Sequence, residues 1–325
     1  MGSDPSPTLA AMRVVVLDDY QNIAAAFVDW GDLDPVSITE HIADEVALAT
    51  ALAGAEIVVA MRERTAFPAS LFDRLPDLRL LVTTGNRNAV IDLAAAATHG
   101  VTVCGTMGIV TSTSELTWAL IHAVSRHVAA DDATIRAGGW QTRIGTGLAG
   151  QRLGLIGLGN IGGLVAKVGL AFGMDVVSWS QNLTQERAEK FGIRAVSKSE
   201  LIETSDVVSL HLQLSERTRH VIGASELTAM KPSAILINTS RGPLIDQAAL
   251  VAALQRHVIA GAGLDVYEVE PLPIDDPLRA LANTVLTPHT GYVVSQCYDI
   301  FYREIVENIV AWCSGSPLRV LTAPT

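Results

Sequence analysis

One short segment of the chain contains a strand, a glycine-rich turn and a helix in immediate succession. The apolar run 153–156 predicts the strand, and Gly157, Gly159 and Gly162 follow it in the pattern G-x-G-x-x-G. The helical pattern that comes next stops at Gly173. In this context the first glycine permits a tight turn, the second lets the backbone approach a pyrophosphate, and the third lets helix pack close to strand. The segment therefore predicts a parallel α/β sheet with a dinucleotide bound at the helix N-terminus.

The end of the following strand bears on which dinucleotide binds. An acidic residue at this position often binds the ribose 2′-hydroxyl of NAD. Here the position is Ser180, followed by Gln181 and Asn182, while Asp175 stands at the opposite end of the strand. Neutral side chains do not repel a 2′-phosphate, so the sequence permits NADP as well as NAD. Arg187 is the first cation that follows, and a solvated surface role suits it equally well.

Composition limits the class of protein. The chain has 325 residues, 49% of them hydrophobic, which suffices for two domain cores. Its 23 Lys and Arg against 34 Asp and Glu give a net charge of −11, which argues against nucleic acid or an anionic membrane surface as a partner. Three widely spaced cysteines without a C-x-x-C pair predict neither disulfides nor a metal site. These features are typical of a cytoplasmic enzyme, with residues 1–11 as a disordered lead-in.

Short β-branched segments alternate with alanine-rich helical segments along the chain. This alternation predicts an α/β fold class, with two Rossmann-like or flavodoxin-like parallel-sheet domains and an interdomain cleft. Residues 12–111 together with 293–325 are predicted to form a substrate (catalytic) domain, and residues 112–292 a dinucleotide-binding Rossmann domain. The C-terminal part is assigned to the first domain because the amphipathic helix 295–312 is left over once the second sheet is complete.

A helix predicted over residues 115–129 bears on assembly. Its apolar side chains include Leu116, Trp118, Ala119, Leu120, Ala123 and Val124. This is more apolar surface than one helix flank is expected to bury within a single nucleotide-binding domain. We therefore expect a homodimer.

Ionisable side chains follow three strands of the second domain: Arg241, then Asp265 with Glu270 just beyond it, then His289. Ligands of parallel sheets bind outside the carboxyl ends of the strands, so these groups are expected near one ligand. A guanidinium binds a carboxylate through two hydrogen bonds, and a histidine next to a carboxylate exchanges a proton near neutral pH. The alternatives are a structural salt bridge for Arg241, a surface carboxylate for Glu270 and a capping role for His289. His211, also at a strand end, is interpreted as a structural or cofactor-edge residue rather than a second base.

Three motifs resemble the D-isomer-specific 2-hydroxyacid dehydrogenases. They are Asn-Thr-Ser-Arg-Gly at residues 238–242, Gly-Leu-Asp-Val-Tyr-Glu-Val-Glu-Pro at 263–271 and Thr-Pro-His-Thr-Gly at 287–291. The resemblance covers nearly the whole chain, and residues 61–65 are similar to the substrate loop of phosphoglycerate dehydrogenases. It implies hydride transfer between NAD(P)H and a 2-keto acid to give a D-2-hydroxy acid.

The resemblance also implies residue roles. Arg241 binds the substrate carboxylate and carbonyl, His289 is the acid/base and Glu270 supports it. Besides the glycines and residues 180–182, the implied cofactor contacts are Asn160, Ile161, Thr239, Ser240 and Asp265, the last at the nicotinamide end. The implied substrate contacts in the first domain are Arg62, Gly85 and Asn86, with a solvated Arg62 as the alternative. Asn86 and Arg87 are bulkier than the small glycine-rich loop usual in the family, which leaves the identity of the substrate open.

Rival functions belong to two classes. A nucleotide-sensing binding protein, as in the corepressor branch of the same family, keeps the same trio, so the motifs do not separate it from an enzyme. Formate dehydrogenases carry glutamine where this chain has Glu270, which argues against them. Phosphite dehydrogenases keep a similar trio and stay an alternative.

Overall fold

A computed structural model of the chain describes residues 12–323, so the predicted disordered lead-in over residues 1–11 lies outside the described residues. The described chain forms two compact units. The first comprises the residues up to Ile109 together with those from Val294 onward, and the second is Val110–Val293. Between residues 12 and 323, no helix combines the length and the apolar character needed to cross a membrane.

The first unit is built on a five-stranded parallel sheet. Its strands are β1 (Val14–Val16), β2 (Val36–Ser37), β3 (Ile57–Ala60), β4 (Leu80–Thr83) and β5 (Thr102–Cys104). Its early helices are α1 (Ala24–Phe27), α2 (Glu45–Ala51), α3 (Ala69–Phe72) and α4 (Leu93–Thr98). The strand order β2-β1-β3-β4-β5 is the flavodoxin-like order, which places a topological switch point between β1 and β3.

The second unit begins with two helices and continues as a doubly wound sheet. Its helices are α5 (Thr111–Ser125), α6 (Val128–Arg136), α7 (Asn160–Ala171), α8 (Gln185–Glu189), α9 (Lys198–Thr204), α10 (Ala224–Ala229) and α11 (Gln247–Gln255). Its strands are β6 (Arg152–Ile156), β7 (Asp175–Trp179), β8 (Arg194–Ala195), β9 (Val207–Leu210), β10 (Ile235–Asn238), β11 (Gly261–Leu264) and β12 (Thr284–Leu286). All pairs are parallel, and the strand order is β12-β11-β10-β9-β6-β7-β8. The order in which successive strands are added therefore reverses between β6 and β9. Apolar clusters cover both faces, which explains why the strands are continuous apolar runs.

The last helix, α12 (Ser295–Cys313), belongs to the first unit. Tyr302 on this helix is fully buried, and its ring centroid lies 5.4 Å from that of Phe27 and 6.3 Å from that of Trp30. Aromatic burial of this size accounts for a large share of the packing of a helix against its own domain.

The predicted fold class, two α/β domains with parallel sheets, is confirmed. Two edge strands of two residues each, β2 and β8, were not predicted, because so short a segment has no hydrophobic period to detect. The predicted helix 115–129 is in fact two helices. It breaks at His127, which adopts a left-handed backbone with φ 56° after the end of α5.

The apolar face of α5 does not support the dimer argument drawn from it. Trp118, Leu120 and Val124 are buried within the second unit, where α5 packs against α7 and the strands β10 and β11. Of the other three residues, Leu116 and Ala123 are half-buried and Ala119 is exposed. The expected excess of apolar surface is therefore absent from the large side chains of this helix, because a helix in a doubly wound fold buries a wide face against the sheet.

Candidate active site

The glycine turn between β6 and α7 has the geometry that a dinucleotide requires. Gly157 has φ +106°, a conformation that L side chains rarely adopt, and a Cβ on Gly162 would lie 2.3 Å from the Gly157 carbonyl oxygen. The Cα of Gly159 faces open space, so a ligand can approach the backbone there. Asn160 and Ile161 form the first turn of α7, which none of the described side chains caps. The turn therefore fits a pyrophosphate on free N–H groups.

The strand end that is predicted to contact the ribose lies where the sequence placed it. β7 ends at Trp179, so Ser180 is the first residue beyond it, and Asp175 opens the strand and pairs with Arg152 at 2.6 Å. Ser180 is half-buried, whereas Gln181 and Asn182 are exposed.

A cation that the sequence did not indicate lies near this strand end. The Lys198 Nζ atom lies 5.9 Å from the centroid of the Trp179 ring and 2.8 Å from a carboxylate oxygen of Glu226. The ion pair with Glu226 offsets the charge that Lys198 would offer to a 2′-phosphate. Arg187, on α8, is exposed, and its backbone N–H donates to the Thr184 hydroxyl that caps this helix.

Thr239 and Ser240 follow β10, and their hydroxyls have protein partners. The Thr239 hydroxyl lies 2.8 Å from the hydroxyl of Thr117 on α5. The Ser240 hydroxyl donates to the carbonyl oxygen of Leu210 at the end of β9, also at 2.8 Å. The first bond ties the end of β10 to α5, the second ties it to the end of β9, and together they hold the turn that leads to Arg241.

Glu270 and His289 form the tightest contact of the site. The Glu270 Oε2 atom lies 2.5 Å from His289 Nδ1, and the other carboxylate oxygen accepts the backbone N–H of Tyr267 at 2.9 Å. His289 has a left-handed backbone with φ 54°, which is uncommon for a residue with a side chain. With Nδ1 on the carboxylate, Nε2 is the ring nitrogen left to exchange a proton with a ligand.

The carboxylate of Asp265 fixes the loop that carries His289. Its Oδ1 accepts the Thr287 hydroxyl at 2.6 Å and the Thr290 N–H at 2.8 Å, and its Oδ2 accepts the Gly291 N–H at 2.9 Å. Burial raises the pKa of Asp265 above its ordinary value, although these hydrogen bonds oppose the shift. The structure thus shows bonds from Asp265 to the His289 loop, while its predicted contact with the nicotinamide stays a prediction.

Arg241 lies beyond β10 in a turn that is held from both sides. The side chain of Asn238 donates to the Arg241 carbonyl oxygen at 2.9 Å, and an Arg241 guanidinium nitrogen donates to the Ser240 carbonyl oxygen at 2.7 Å. The next residue, Gly242, packs so closely that a Cβ there would lie 1.9 Å from the carbonyl oxygen of Tyr267. The segment that carries Arg241 therefore runs directly against the segment that leads to Glu270.

In the first unit, the structure brings Arg62 and Gly85 together. Arg62 follows β3 with a left-handed backbone, φ 54°, and Gly85 follows β4 with φ +91°. A Cβ on Gly85 would lie 1.9 Å from an Arg62 guanidinium nitrogen, so only glycine leaves room for this side chain. The Arg62 backbone is held by the Thr84 hydroxyl and by the side chain of Asn88, at 2.9 and 2.6 Å. Asn86, the third predicted substrate residue, comes next and is exposed.

Sequence reasoning did not single out several residues that position the site. Thr287 and Thr290 flank His289 and bind Asp265, and their place within one motif with the histidine was an available signal. Thr117 lies 122 positions before its partner Thr239, so only the folded chain reveals it.

Comparison with known proteins agrees with this architecture. The family model for the D-isomer specific 2-hydroxyacid dehydrogenase NAD binding domain matches residues 118–291. A glyoxylate reductase of Aeropyrum pernix is 39% identical over 255 residues, which are 75% of this chain and 76% of that protein. The glyoxylate/hydroxypyruvate reductase B of Escherichia fergusonii is 33% identical over 292 residues, 88% of this chain and 87% of its own length. The crystal structure of a phosphoglycerate oxidoreductase from Vibrio cholerae o395 covers 94% of this chain and 99% of its own, with 36% identity and a TM-score of 0.90. The chain therefore belongs to the D-isomer-specific 2-hydroxyacid dehydrogenase family and is an oxidoreductase that uses NAD or NADP.

Proposed function

We propose that this chain reduces a small 2-keto acid to the D-2-hydroxy acid. When bound, the nicotinamide cofactor supplies the hydride. Arg241 binds the substrate carboxylate, His289 donates its proton from Nε2 to the carbonyl oxygen, and Glu270 holds the ring in place through Nδ1. The names of the relatives support glyoxylate and hydroxypyruvate as the first substrates to test.

The observation that carries this proposal is the contact of 2.5 Å between Glu270 and His289 Nδ1. A carboxylate bound at Nδ1 fixes the orientation of the ring and leaves Nε2 as the nitrogen that meets the substrate. The Tyr267 N–H fixes the same carboxylate from its other oxygen at 2.9 Å, so the ring of His289 is held on one side only and Nε2 stays available to a substrate.

The test is steady-state reduction of glyoxylate, hydroxypyruvate and bulkier keto acids with NADH and with NADPH. The Arg241→Ala variant should lose on the order of 100-fold in kcat/KM, because it lacks the carboxylate anchor, while its affinity for the cofactor stays near that of the wild type. Arg241→Lys keeps the charge without the two-pronged geometry and should recover only part of the loss. Near-normal kcat/KM of Arg241→Ala on every active keto acid would remove Arg241 from the site.

The same panel separates the rival functions. Cofactor binding without turnover of any keto acid would favour a nucleotide-sensing protein, and oxidation of phosphite in place of keto-acid reduction would favour a phosphite dehydrogenase. Either result would overturn the proposal.

A second candidate substrate carries a further anionic group, such as a phosphorylated hydroxypyruvate. The guanidinium of Arg62 against Gly85 in the predicted substrate loop favours it, because a phosphate can compete for a cation whose ion pair with Glu63 is long, at 3.7 Å. In that case Arg62→Ala should raise the KM for the phosphorylated substrate far more than the KM for glyoxylate. An equal change for both would leave Arg62 with a structural role.

We also propose that the chain is a homodimer in the cytoplasm. Ile135 on α6 and Trp140 and Ile144 beyond it are 53%, 78% and 95% exposed, an apolar group that a second copy would cover. Trp140→Glu with Ile144→Glu should convert the dimer into a monomer in light scattering at micromolar concentration, and a wild-type monomer would contradict the proposal.

The proposed location in the cytoplasm, a reducing compartment, is supported by the free thiols at Cys104, Cys297 and Cys313.

A further inference from the structure

His211 is a half-buried titratable residue that the proposed reaction does not use. It follows β9 at its carboxyl end, and its backbone N–H donates to the Ile156 carbonyl oxygen at 2.8 Å, next to the glycine turn. Its Nε2 atom lies 2.9 Å from the hydroxyl oxygen of Ser209. Its Nδ1 atom is buried and has no hydrogen-bond partner within residues 12–323.

The Ser209 hydroxyl determines which ring nitrogen carries the proton. Ser209 is fully buried, and among residues 12–323 its hydroxyl forms a hydrogen bond with His211 Nε2. If this hydroxyl accepted a proton from Nε2, its own proton would be left without an acceptor in a dry environment, which is costly. The hydroxyl therefore donates to Nε2, and the ring proton lies on Nδ1. Burial lowers the pKa of His211 to about 4, so the ring is neutral at neutral pH.

The position of His211 indicates what completes this donor. A Cβ on Gly162 would lie 3.4 Å from the His211 Cβ, and a Cβ on Gly157 would lie 2.5 Å from the His211 carbonyl oxygen. The residue thus packs against the first and third glycines of the turn that fits a pyrophosphate. A buried N–H with no acceptor is costly, so an acceptor is expected from a ligand at this turn.

We infer that the Nδ1–H group of His211 donates a hydrogen bond to an oxygen of the pyrophosphate or of the adjoining nicotinamide ribose of the bound dinucleotide. His211 is then a cofactor-binding residue whose tautomer Ser209 fixes, and not a second acid/base. The inference rests on the proposed dinucleotide site. It adds a side-chain hydrogen-bond donor, which the glycines of the turn cannot provide.

The experiment compares His211→Asn with His211→Gln by equilibrium titration without keto acid. The asparagine amide can place a donor near the Nδ1 position, whereas the glutamine amide reaches the Nε2 position beside Ser209. His211→Gln should weaken binding of NADH and of ADP-ribose about three- to tenfold, the effect of one neutral hydrogen bond. His211→Asn should stay within about twofold of the wild type. ADP, which has the pyrophosphate but lacks the nicotinamide ribose, distinguishes the two acceptors, and AMP, which lacks both, should bind all variants equally.

Two results would overturn the inference. Equal NADH affinity of wild type and His211→Gln would mean that a water or nothing accepts from Nδ1. Equal losses in both variants, or a matching loss for AMP, would mean that the ring only supports the fold. If His211→Gln does not fold, His211→Ala serves as the variant without a donor. Failure of the wild type to bind NADH would instead refute the dinucleotide site itself, which keeps the two failures distinct.

Discussion

Replacing Asp265 by asparagine tests how the site holds its histidine. The carboxylate oxygens accept from the Thr287 hydroxyl and from the backbone N–H groups of Thr290 and Gly291 on either side of the loop. An amide of the same shape offers one accepting oxygen instead of two. In either orientation its NH₂ group faces a protein donor, so at least one buried backbone N–H or hydroxyl loses its acceptor.

The magnitude follows from the bonds lost. A hydrogen bond to a charged group contributes about 1.5–3 kcal/mol, and leaving a buried donor unsatisfied costs a similar amount. In the more favourable orientation one such bond is lost, so the loop should be destabilised by about 2–4 kcal/mol. A factor of ten corresponds to about 1.4 kcal/mol, so local opening should become roughly 30- to 1000-fold more frequent.

Hydrogen exchange of the Thr290 and Gly291 amides, read by mass spectrometry, measures this opening directly. Asp265→Asn should accelerate exchange in this segment and lower kcat on the order of 10- to 100-fold, because His289 is displaced. Asp275→Asn makes the same chemical change at an exposed residue and should alter neither. If Asp265→Asn exchanged at the wild-type rate but lost affinity for NADH, Asp265 would serve the cofactor and not the loop, and the reasoning would be refuted.

Three further predictions concern the second unit. Ser180→Asp should move the ratio of kcat/KM values toward NADH by about ten- to thirtyfold, since a carboxylate repels the 2′-phosphate; a wild type that already rejects NADPH by that margin would show that another residue reads the ribose. Folding lowers the pKa of His211 to about 4, so between pH 6.5 and 4 the unfolded state binds a proton that the folded state does not. The free energy of unfolding should therefore fall by up to about 3 kcal/mol as the pH drops through this range. The same decline in unfolding midpoints of the His211→Asn variant would show that His211 does not cause it. Gly242→Ala should impair folding or abolish turnover, because its Cβ would meet the backbone of Tyr267 and Glu268 at 1.9 to 2.6 Å, and a variant with wild-type melting temperature and kcat would disprove that close approach.

The sheets could be predicted from the sequence because their strands are buried on both faces and therefore consist of unbroken β-branched segments. It was also sufficient for the glycine turn, whose positive φ at Gly157 and close contact at Gly162 are requirements that few other residues meet. In local motifs of this kind the residue types themselves determine the backbone geometry.

Features that depend on distant packing were not predictable in this way. The burial of Trp118 and Leu120 follows from how α5 lies on the sheet, which a helical period does not reveal. Lys198 contacts Trp179, which lies 19 positions earlier in the chain. The hydrogen bonds between Asp265 and the His289 loop join the ends of two neighbouring strands. In each case the residue type was visible in the sequence, but its partner was not.

The left-handed backbones of Arg62 and His289 have a consequence for engineering. Glycine at either position would relieve about 1 kcal/mol of conformational strain, so a directed-evolution campaign that rewards heat tolerance alone should enrich glycine or asparagine there. Such variants would be more stable but would lack the side chains to which the proposed reaction assigns substrate binding and proton transfer. A library designed for an industrial reductase should hold positions 62 and 289 fixed and search for stability elsewhere.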